Sequence, residues 1–417
     1  MQVRRHSQFR DINASDASKT IAIPRHRWYY YKEGFSPDLV ELAIERLRLN
    51  SDSLIIDPFN GSGTVTLQSA IHGIESVGIE VNPFTSFISK TKTSSVNKKE
   101  VLEKMDDVIH HACLGGASPL LYYSTFSEKG ENDKWLFNSA VLNAYEGANS
   151  ALINCHSAIK DIFRIALIGA AMDNCNCRRD GKCLRYKVNW RELNYNASSF
   201  IESFKRRLAI IVDDLESTPV LGDAHIICAD SREFLANYHE RMFDLCITSP
   251  PYLNTFDYTD IYRPELFLGG FVSNNKDLYN LRLKTIRSHV QAKWASPIVQ
   301  DFGELYSKCL GQVINKSDRL MHNRIPMMIQ AYFEDMYQVL SQLKLCANKN
   351  AEIWLVVSTS AYADVEIPVD FIIGEIGQRL GWSLLEINVM RVIKKRKTIY
   401  SPSIATLRES LVILRNG

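Results

Sequence analysis

Ser53-Leu54-Ile55-Ile56-Asp57-Pro58-Phe59-Asn60-Gly61-Ser62-Gly63-Thr64 is the stretch on which the fold turns. Residues 53–57 read as a short apolar strand that ends on an acid. Glycines at 61 and 63 let the backbone turn sharply and approach a ligand closely. Residues 65–72 then read as a helix, and a second strand, 76–80, ends on Glu80. Strand, glycine loop, helix and strand open a doubly wound α/β sheet, whose ligands sit at the carboxyl ends of the strands. The loop is not a phosphate loop, because no Lys-Ser/Thr pair follows Gly63. It also lacks the three spaced glycines of a dinucleotide fingerprint. A turn that only shapes the fold is the competing reading. Two acids weigh against it: Glu80 is suited to ribose hydroxyls, and Asp230, after a later strand, to an adenine amino group.

Upstream, aromatic-rich 25–31 leads to Ser36-Pro37-Asp38, a helix start. The helix spans 37–49, with Leu39, Val40, Leu42, Ala43, Ile44 and Leu47 on its apolar face. Downstream, 90–215 is helical in pattern and lacks strand alternation, so it reads as an inserted lobe with a polar loop at 174–183. Strands resume at 224–228, 243–248 and 353–358, followed by a helix at 368–380. Strands at 384–394 and 410–415 form an antiparallel pair at the sheet edge. The segment 253–325 is long, polar and aromatic, a poor match to regular packing. The fold class is α/β, a Rossmann-like doubly wound sheet with an inserted helical lobe. The expected division is a flexible N-terminus (1–24), a cofactor-binding first half (25–95), a helical insert and candidate target-recognition region (96–215), and a second half (216–417).

The chain has 417 residues, 46% of them hydrophobic, enough for a large core. Its 49 basic and 47 acidic residues leave a net charge of +2. That excludes a generally polycationic nucleic-acid coat but not a local basic cleft. No run reaches the ~20 apolar residues of a membrane helix. The longest, 162–172, is interrupted by Arg164. The first ten residues are polar and basic, so no secretory signal is expected. Nine cysteines in a chain without a signal then point to reduced thiols in a cytoplasm.

A second loop, Thr248-Ser249-Pro250-Pro251-Tyr252, follows the apolar strand 243–248. Consecutive prolines force an extended, rigid backbone at both positions and at Ser249. That rigidity aims the Ser249 hydroxyl and the Pro250 carbonyl, two acceptors, at one point, which suits an NH₂ donor. Tyr252 offers an aromatic face for a base, an interaction worth roughly 1–3 kcal/mol. A Pro-Pro loop that merely terminates a strand is the bland alternative.

With both loops in view, the sequence resembles the amino-methylating, S-adenosylmethionine-dependent DNA methyltransferases of N4-cytosine and N6-adenine type. Residues 57–64 look like that family's cofactor motif, and 248–252 like its catalytic motif. The Ser249 version is similar to N4-cytosine members, whereas N6-adenine members more often carry Asp or Asn there. The resemblance covers roughly 25–95, 222–270 and 350–415. It implies S-adenosyl-L-methionine bound by Tyr31, Phe35, Ser36, Asp57, Pro58, Phe59, Gly61, Ser62, Gly63, Thr64, Glu80, Val81, Asn82, Asp230, Ser231 and Thr248. It implies catalysis by Ser249, Pro250, Pro251 and Tyr252 on a base flipped from double-stranded DNA, and a cognate restriction endonuclease as partner. The catalytic motif follows the cofactor motif, whereas many N4-cytosine enzymes have the reverse order. Alternatives are N6-adenine methylation, guanine-N2 methylation of RNA, and a catalytically silent DNA-binding subunit. The short stretch before the fold counts against the RNA reading, and intact Asp57, Glu80, Ser249 and Tyr252 against the silent one.

Candidate DNA contacts are Arg178, Arg179, Lys182 and Arg185 in the polar loop, Tyr258 and Arg263 in 253–325, and Lys394, Lys395, Arg396 and Lys397 between the last strands. Solvated charge is the competing view for each basic run. Cys175, Cys177 and Cys183 are spaced C-x-C-x₅-C, which matches no standard zinc finger or ribbon, so no metal is expected. Residues 25–31 either cover the cofactor pocket or simply pack.

Overall fold

The computed structural model describes residues 17–128, 133–180, 183–394, 400 and 403–417. Residues 1–16, Lys182, Lys395, Arg396 and Lys397, about which the sequence raised expectations, lie outside them.

The chain enters the fold through helix α1 (Pro37–Leu47). Ser36 caps it by accepting from the Asp38 N–H, and Pro37 occupies the first turn. Strand β1 (Leu54–Asp57), helix α2 (Thr64–Ile71) and strand β2 (Glu75–Ile79) follow, each within a residue or two of its expected span. Asn82 then caps α3 (Pro83–Lys92) by accepting from the Phe84 N–H. The lobe between β2 and β5 carries α4 (Lys98–Leu114), α5 (Ser139–Ser150), α6 (Ser157–Asp173) and α7 (Ala197–Ser217). It is helical, with one correction. The expected polar loop contains a hairpin, β3 (Cys177–Asp180) paired antiparallel with β4 (Cys183–Tyr186).

The α/β pattern resumes with β5 (Ala224–Ile227), α8 (Ser231–Ala236) and β6 (Phe243–Thr248). The segment after β6 is more regular than its composition suggests. It forms α9 (Tyr258–Ile261), α10 (Arg263–Leu268), α11 (Asn275–Leu283) and α12 (Glu304–Asn315). Helix α13 (Ile325–Leu345) completes the crossover to β7 (Ala347–Ser358). A small hairpin, β8 (Ser360–Tyr362) with β9 (Val365–Ile367), precedes α14 (Val369–Arg379), β10 (Trp382–Lys394) and β11 (Thr406–Asn416).

The main sheet has seven strands in the order β10-β11-β7-β6-β1-β2-β5. Strands β7, β6, β1, β2 and β5 pair in parallel, and β11 is antiparallel to both β7 and β10. The expected antiparallel pair therefore exists, but of its two strands only β10 lies at an edge.

Alternation along the central strands feeds two cores, as the period of two requires. Ile55, Leu245, Ile247 and Trp354 pack on α1, while Ile56, Cys246, Ile353 and Leu355 pack on the side of α13 and α14. A third core fills the helical lobe. It also takes in Trp28, Tyr29, Phe84, Tyr262 and Leu266, so it is continuous with the first half of the sheet domain.

Candidate active site

The loops after β1, β2, β5 and β6 open on one cleft of about 430 Å³, within the ~300–1,000 Å³ of small-molecule sites. Its floor is the crevice where the strand order reverses between β1 and β6, the usual ligand position in such sheets. Thirteen of the sixteen expected cofactor residues line it: Tyr31, Phe35, Asp57, Pro58, Phe59, Gly61, Ser62, Thr64, Glu80, Val81, Asn82, Asp230 and Ser231. Ser249, Pro250, Pro251, Tyr252 and Tyr258 line it too.

The other three sit behind the wall. Ser36 caps α1. Thr248 is buried, and its hydroxyl donates to the Asp57 carboxylate, tying β6 to β1. Gly63 has φ +82°, and a Cβ there would lie 2.3 Å from the Ser89 hydroxyl oxygen. The loop therefore needs glycine at 63 for space as well as for dihedral angle.

The acids of the wall are held by backbone. Asp57 accepts from the Phe59 N–H at 2.9 Å, and burial lifts its carboxyl to about 7. Glu80 accepts from the N–H groups of Gly61 and Asn82, each at 2.8 Å. Burial raises it too, and those two bonds oppose the rise. Asp230 caps α8 and pairs with Arg232 at 2.6 Å. Arg232 also reaches Asp335 at 2.9 Å, and Arg287 meets the same carboxylate at 2.7 Å. Two guanidiniums thus offset the cost of burying Asp335, which would be several kcal/mol if it were unpaired.

The donor set fits S-adenosylmethionine. Residues 57–64 contain no cation for a phosphate, Glu80 and Asp230 line the cleft as acceptors for hydroxyl and amino donors, and Tyr31, Phe35 and Phe59 supply apolar wall. Each acid oxygen in a backbone bond keeps a second lone pair.

The catalytic-loop side is braced from far away in the sequence. Past Tyr252, the Leu253 carbonyl accepts from the Ser360 hydroxyl and, at 2.9 Å, from the Tyr362 phenol. The β8–β9 hairpin thereby pins the loop that follows the two prolines. Tyr252 is held well above the usual phenol range, first by burial and then by the Glu409 carboxylate.

Several expectations are corrected. Arg179 is not a surface residue of the lobe. Its guanidinium pairs with buried Glu265 and lies 4.4 Å above the Tyr262 ring. Tyr262 in turn stacks on Tyr31 at 5.1 Å and donates to Glu33. Arg263 also turns inward, donating to the Ser124 hydroxyl at 2.9 Å and lying over Phe126. Arg185 is exposed but pairs with Asp180 at 2.7 Å. Arg178 and Lys394 point to solvent. Of 25–31, only Tyr31 reaches the cleft; Arg25, Arg27 and Trp28 bind Asp214 of α7, so packing is the outcome there. Cys175 and Cys177 are buried, and the Cys177 N–H donates to the Cys175 sulfur at 3.4 Å. Among the described residues, no three His, Cys, Asp or Glu side chains are grouped to hold a metal ion.

His289, which the sequence offers as a residue that could line a substrate channel, lines the cleft. Sequence reasoning did not single out Glu33, Lys284, Thr285, Ser288 or Arg391, all of which line it too, and it gave Glu409 no role in the site. The only sequence signal for Arg391 and Glu409 was opposite charge on two strands expected to pair.

No protein-family description matches the chain. The Type II methyltransferase M.BsoBI of Geobacillus stearothermophilus is 25% identical over 441 residues, covering 92% of this chain and 83% of the relative. The chain is a relative of Type II methyltransferases. M.AvaI of a Nostoc strain, another of them, is 26% identical over 405 residues, 88% of this chain and 81% of its own. M.MvaI of Kocuria varians is 22% identical over 243 residues, about half of each chain. Among solved structures, the rRNA methyltransferase aviRa from Streptomyces viridochromogenes aligns with 99% of this chain at 11% identity and a TM-score of 0.29. The relationship to Type II methyltransferases spans both strand-end loops of the cleft, 57–64 and 248–252.

Proposed function

We propose that this protein is an S-adenosylmethionine-dependent DNA methyltransferase acting on the N4 amino group of cytosine, as the modification half of a restriction–modification system. The observation that carries the reading is one cleft shared by the acid-bearing loops after β1 and β2 and the Ser249–Tyr252 loop after β6. Relatedness to Type II methyltransferases points the same way.

S-adenosylmethionine supplies an activated methyl group on a sulfonium. Glu80 holds ribose hydroxyls, Asp230 an amino group, and Tyr31, Phe35 and Phe59 apolar surface. Ser249 and the Pro250 carbonyl accept hydrogen bonds from the target amine. In cytosine that nitrogen's lone pair is delocalised into the ring. Two acceptors on its hydrogens favour a more tetrahedral nitrogen and free the lone pair for attack. Tyr252 stacks on the base once it has left the duplex. Positioning carries most of the catalysis. Arg178, Arg185 and Lys394 are candidates to meet phosphates, which fix orientation and carry no sequence information.

The test incubates the protein with methyl-labelled cofactor and either duplex DNA or RNA, then digests each to nucleosides. N4-methylcytosine is the expected product. N6-methyladenine would overturn the base assignment, and label found only in RNA would overturn the DNA substrate.

A further inference from the structure

Arg391 and Glu409 line the cleft beyond the catalytic loop, away from Glu80 and Asp230. The sheet order sets that separation: β10 and β11 lie on one side of β6, and β1, β2 and β5 on the other. The Arg391 guanidinium donates through Nε and Nη2 to the Glu409 carboxylate. The Glu409 side chain is 4% exposed and that of Arg391 is 38% exposed, so the carboxylate is the anchor and the guanidinium faces the cavity.

The backbone arranges this. Pairing between β10 and β11 runs Val389↔Ser410 and then Arg391↔Glu409, so Met390 is an extra residue, a bulge. Bulges re-aim side chains and recur beside active sites. Met390 is buried against the α1 side of the sheet, while Arg391 and Ile393 both line the cleft. Since strand side chains alternate, a shift of one residue decides which side chain meets the cleft. The pair also lies within electrostatic reach of Tyr252.

We propose that Arg391, oriented by Glu409, reads the ring edge of the target base and selects cytosine. This rests on the preceding reading, in which the flipped base enters beside Tyr252. A guanidinium has five N–H donors and no acceptor, and one carboxylate takes a pair of them in a fork. With its amino group at Ser249, cytosine presents two neighbouring acceptors, ring N3 and the O2 carbonyl. Adenine presents N1 and then a C–H, so a second donor meets carbon. A desolvated donor facing carbon costs enough to disfavour adenine by about 10- to 100-fold. Glu409 is a positioning residue that sets the plane of the guanidinium.

The experiment uses the full chain and a duplex whose methylated position has been mapped, beside the same duplex with adenine at that position. The double variant Arg391→Met/Glu409→Gln removes both partners of the pair, and Arg391→Lys keeps the charge without the fork. Expected is a fall of about 10- to 100-fold in kcat/KM on the cytosine duplex for the double variant. Its cytosine-to-adenine ratio falls as well, while cofactor affinity measured by calorimetry is unchanged. Arg391→Lys, the gentler change, shows a lower ratio even if the double variant fails to fold. Unchanged selectivity in Arg391→Lys overturns the proposal, as does loss of cofactor affinity with selectivity intact, which would make Arg391 a cofactor clamp. A wild-type product other than N4-methylcytosine overturns the preceding reading along with this one, whereas normal N4-methylcytosine with indifferent Arg391 variants overturns this one alone.

Discussion

The two walls of the cleft are built by different means. At the ends of β1, β2 and β5, short-range backbone does the holding: Asp57 takes the N–H of Phe59, Glu80 that of Asn82, and Asp230 that of Arg232. At the ends of β6, β10 and β11, side chains from distant segments do it. Ser360 and Tyr362 reach the Leu253 carbonyl across 107 and 109 residues. A wall of backbone presents one fixed shape and suits a ligand that never changes. A wall of side chains can be altered one residue at a time.

Four measurements probe that division, in descending order of expected effect. Ser249→Ala removes an acceptor meant for the reacting amine and nothing that holds the first wall. Single-turnover methyl transfer is expected to fall by about 10²- to 10³-fold, with cofactor affinity by calorimetry unchanged. Lost cofactor affinity would mean that the walls are not separate.

Gly63→Ala strikes the backbone wall. A Cβ at φ +82° would lie 2.3 Å from the Ser89 hydroxyl oxygen. Dihedral strain and overpacking together cost about 3 kcal/mol of unfolding free energy. Denaturant titration reads this directly, and an unchanged midpoint would show that the loop tolerates a side chain.

Asp57 gives that wall a pH signature. Its folded value of about 7 lies above the ordinary 3.8, so the folded protein holds this proton more tightly than the unfolded chain. The associated stability is full below about pH 4 and is lost as pH rises through about 7. Asp57→Asn is expected to narrow the difference in unfolding free energy between mildly acidic and mildly alkaline buffer. An equal difference in variant and wild type would refute the assignment.

The smallest effect belongs to neither wall. Arg178→Ala, on the exposed strand of the β3–β4 hairpin, is expected to weaken DNA binding only a few-fold and to lower the salt slope by about 1. Unaltered salt dependence would remove Arg178 from the DNA surface.

The same division explains what the sequence discloses. Both strand-end loops were legible because their geometry demands residues that mark themselves: Gly61 and Gly63 in one, Pro250 and Pro251 in the other. Strand β6 was legible to the residue, 243–248, as an apolar run bounded by turn signals. Helix α13 went unread although its signal is present: Ile325, Met328, Ile329, Tyr332, Phe333, Met336, Val339, Leu340 and Leu343 are all buried and keep helical spacing. The burial of Arg179 was not legible, because its partner Glu265 lies on a different element, as does Tyr29, which is 236 residues from Glu265. Arg391 depends on a bulge, and a bulge leaves no local mark in composition.

The continuity of the lobe's core with the cleft wall bears on anyone who would exchange the lobe to redirect the protein. A graft cut at residues 96 and 215 carries away Arg179 and Asp214 and leaves Glu265, Tyr262 and Trp28 behind. A foreign lobe must then offer a cation to a fully buried carboxylate, or the chimera inherits a buried charge without its guanidinium. The practical cut takes residues 25–31 and α10 with the lobe, so that the transplanted piece travels with its own socket.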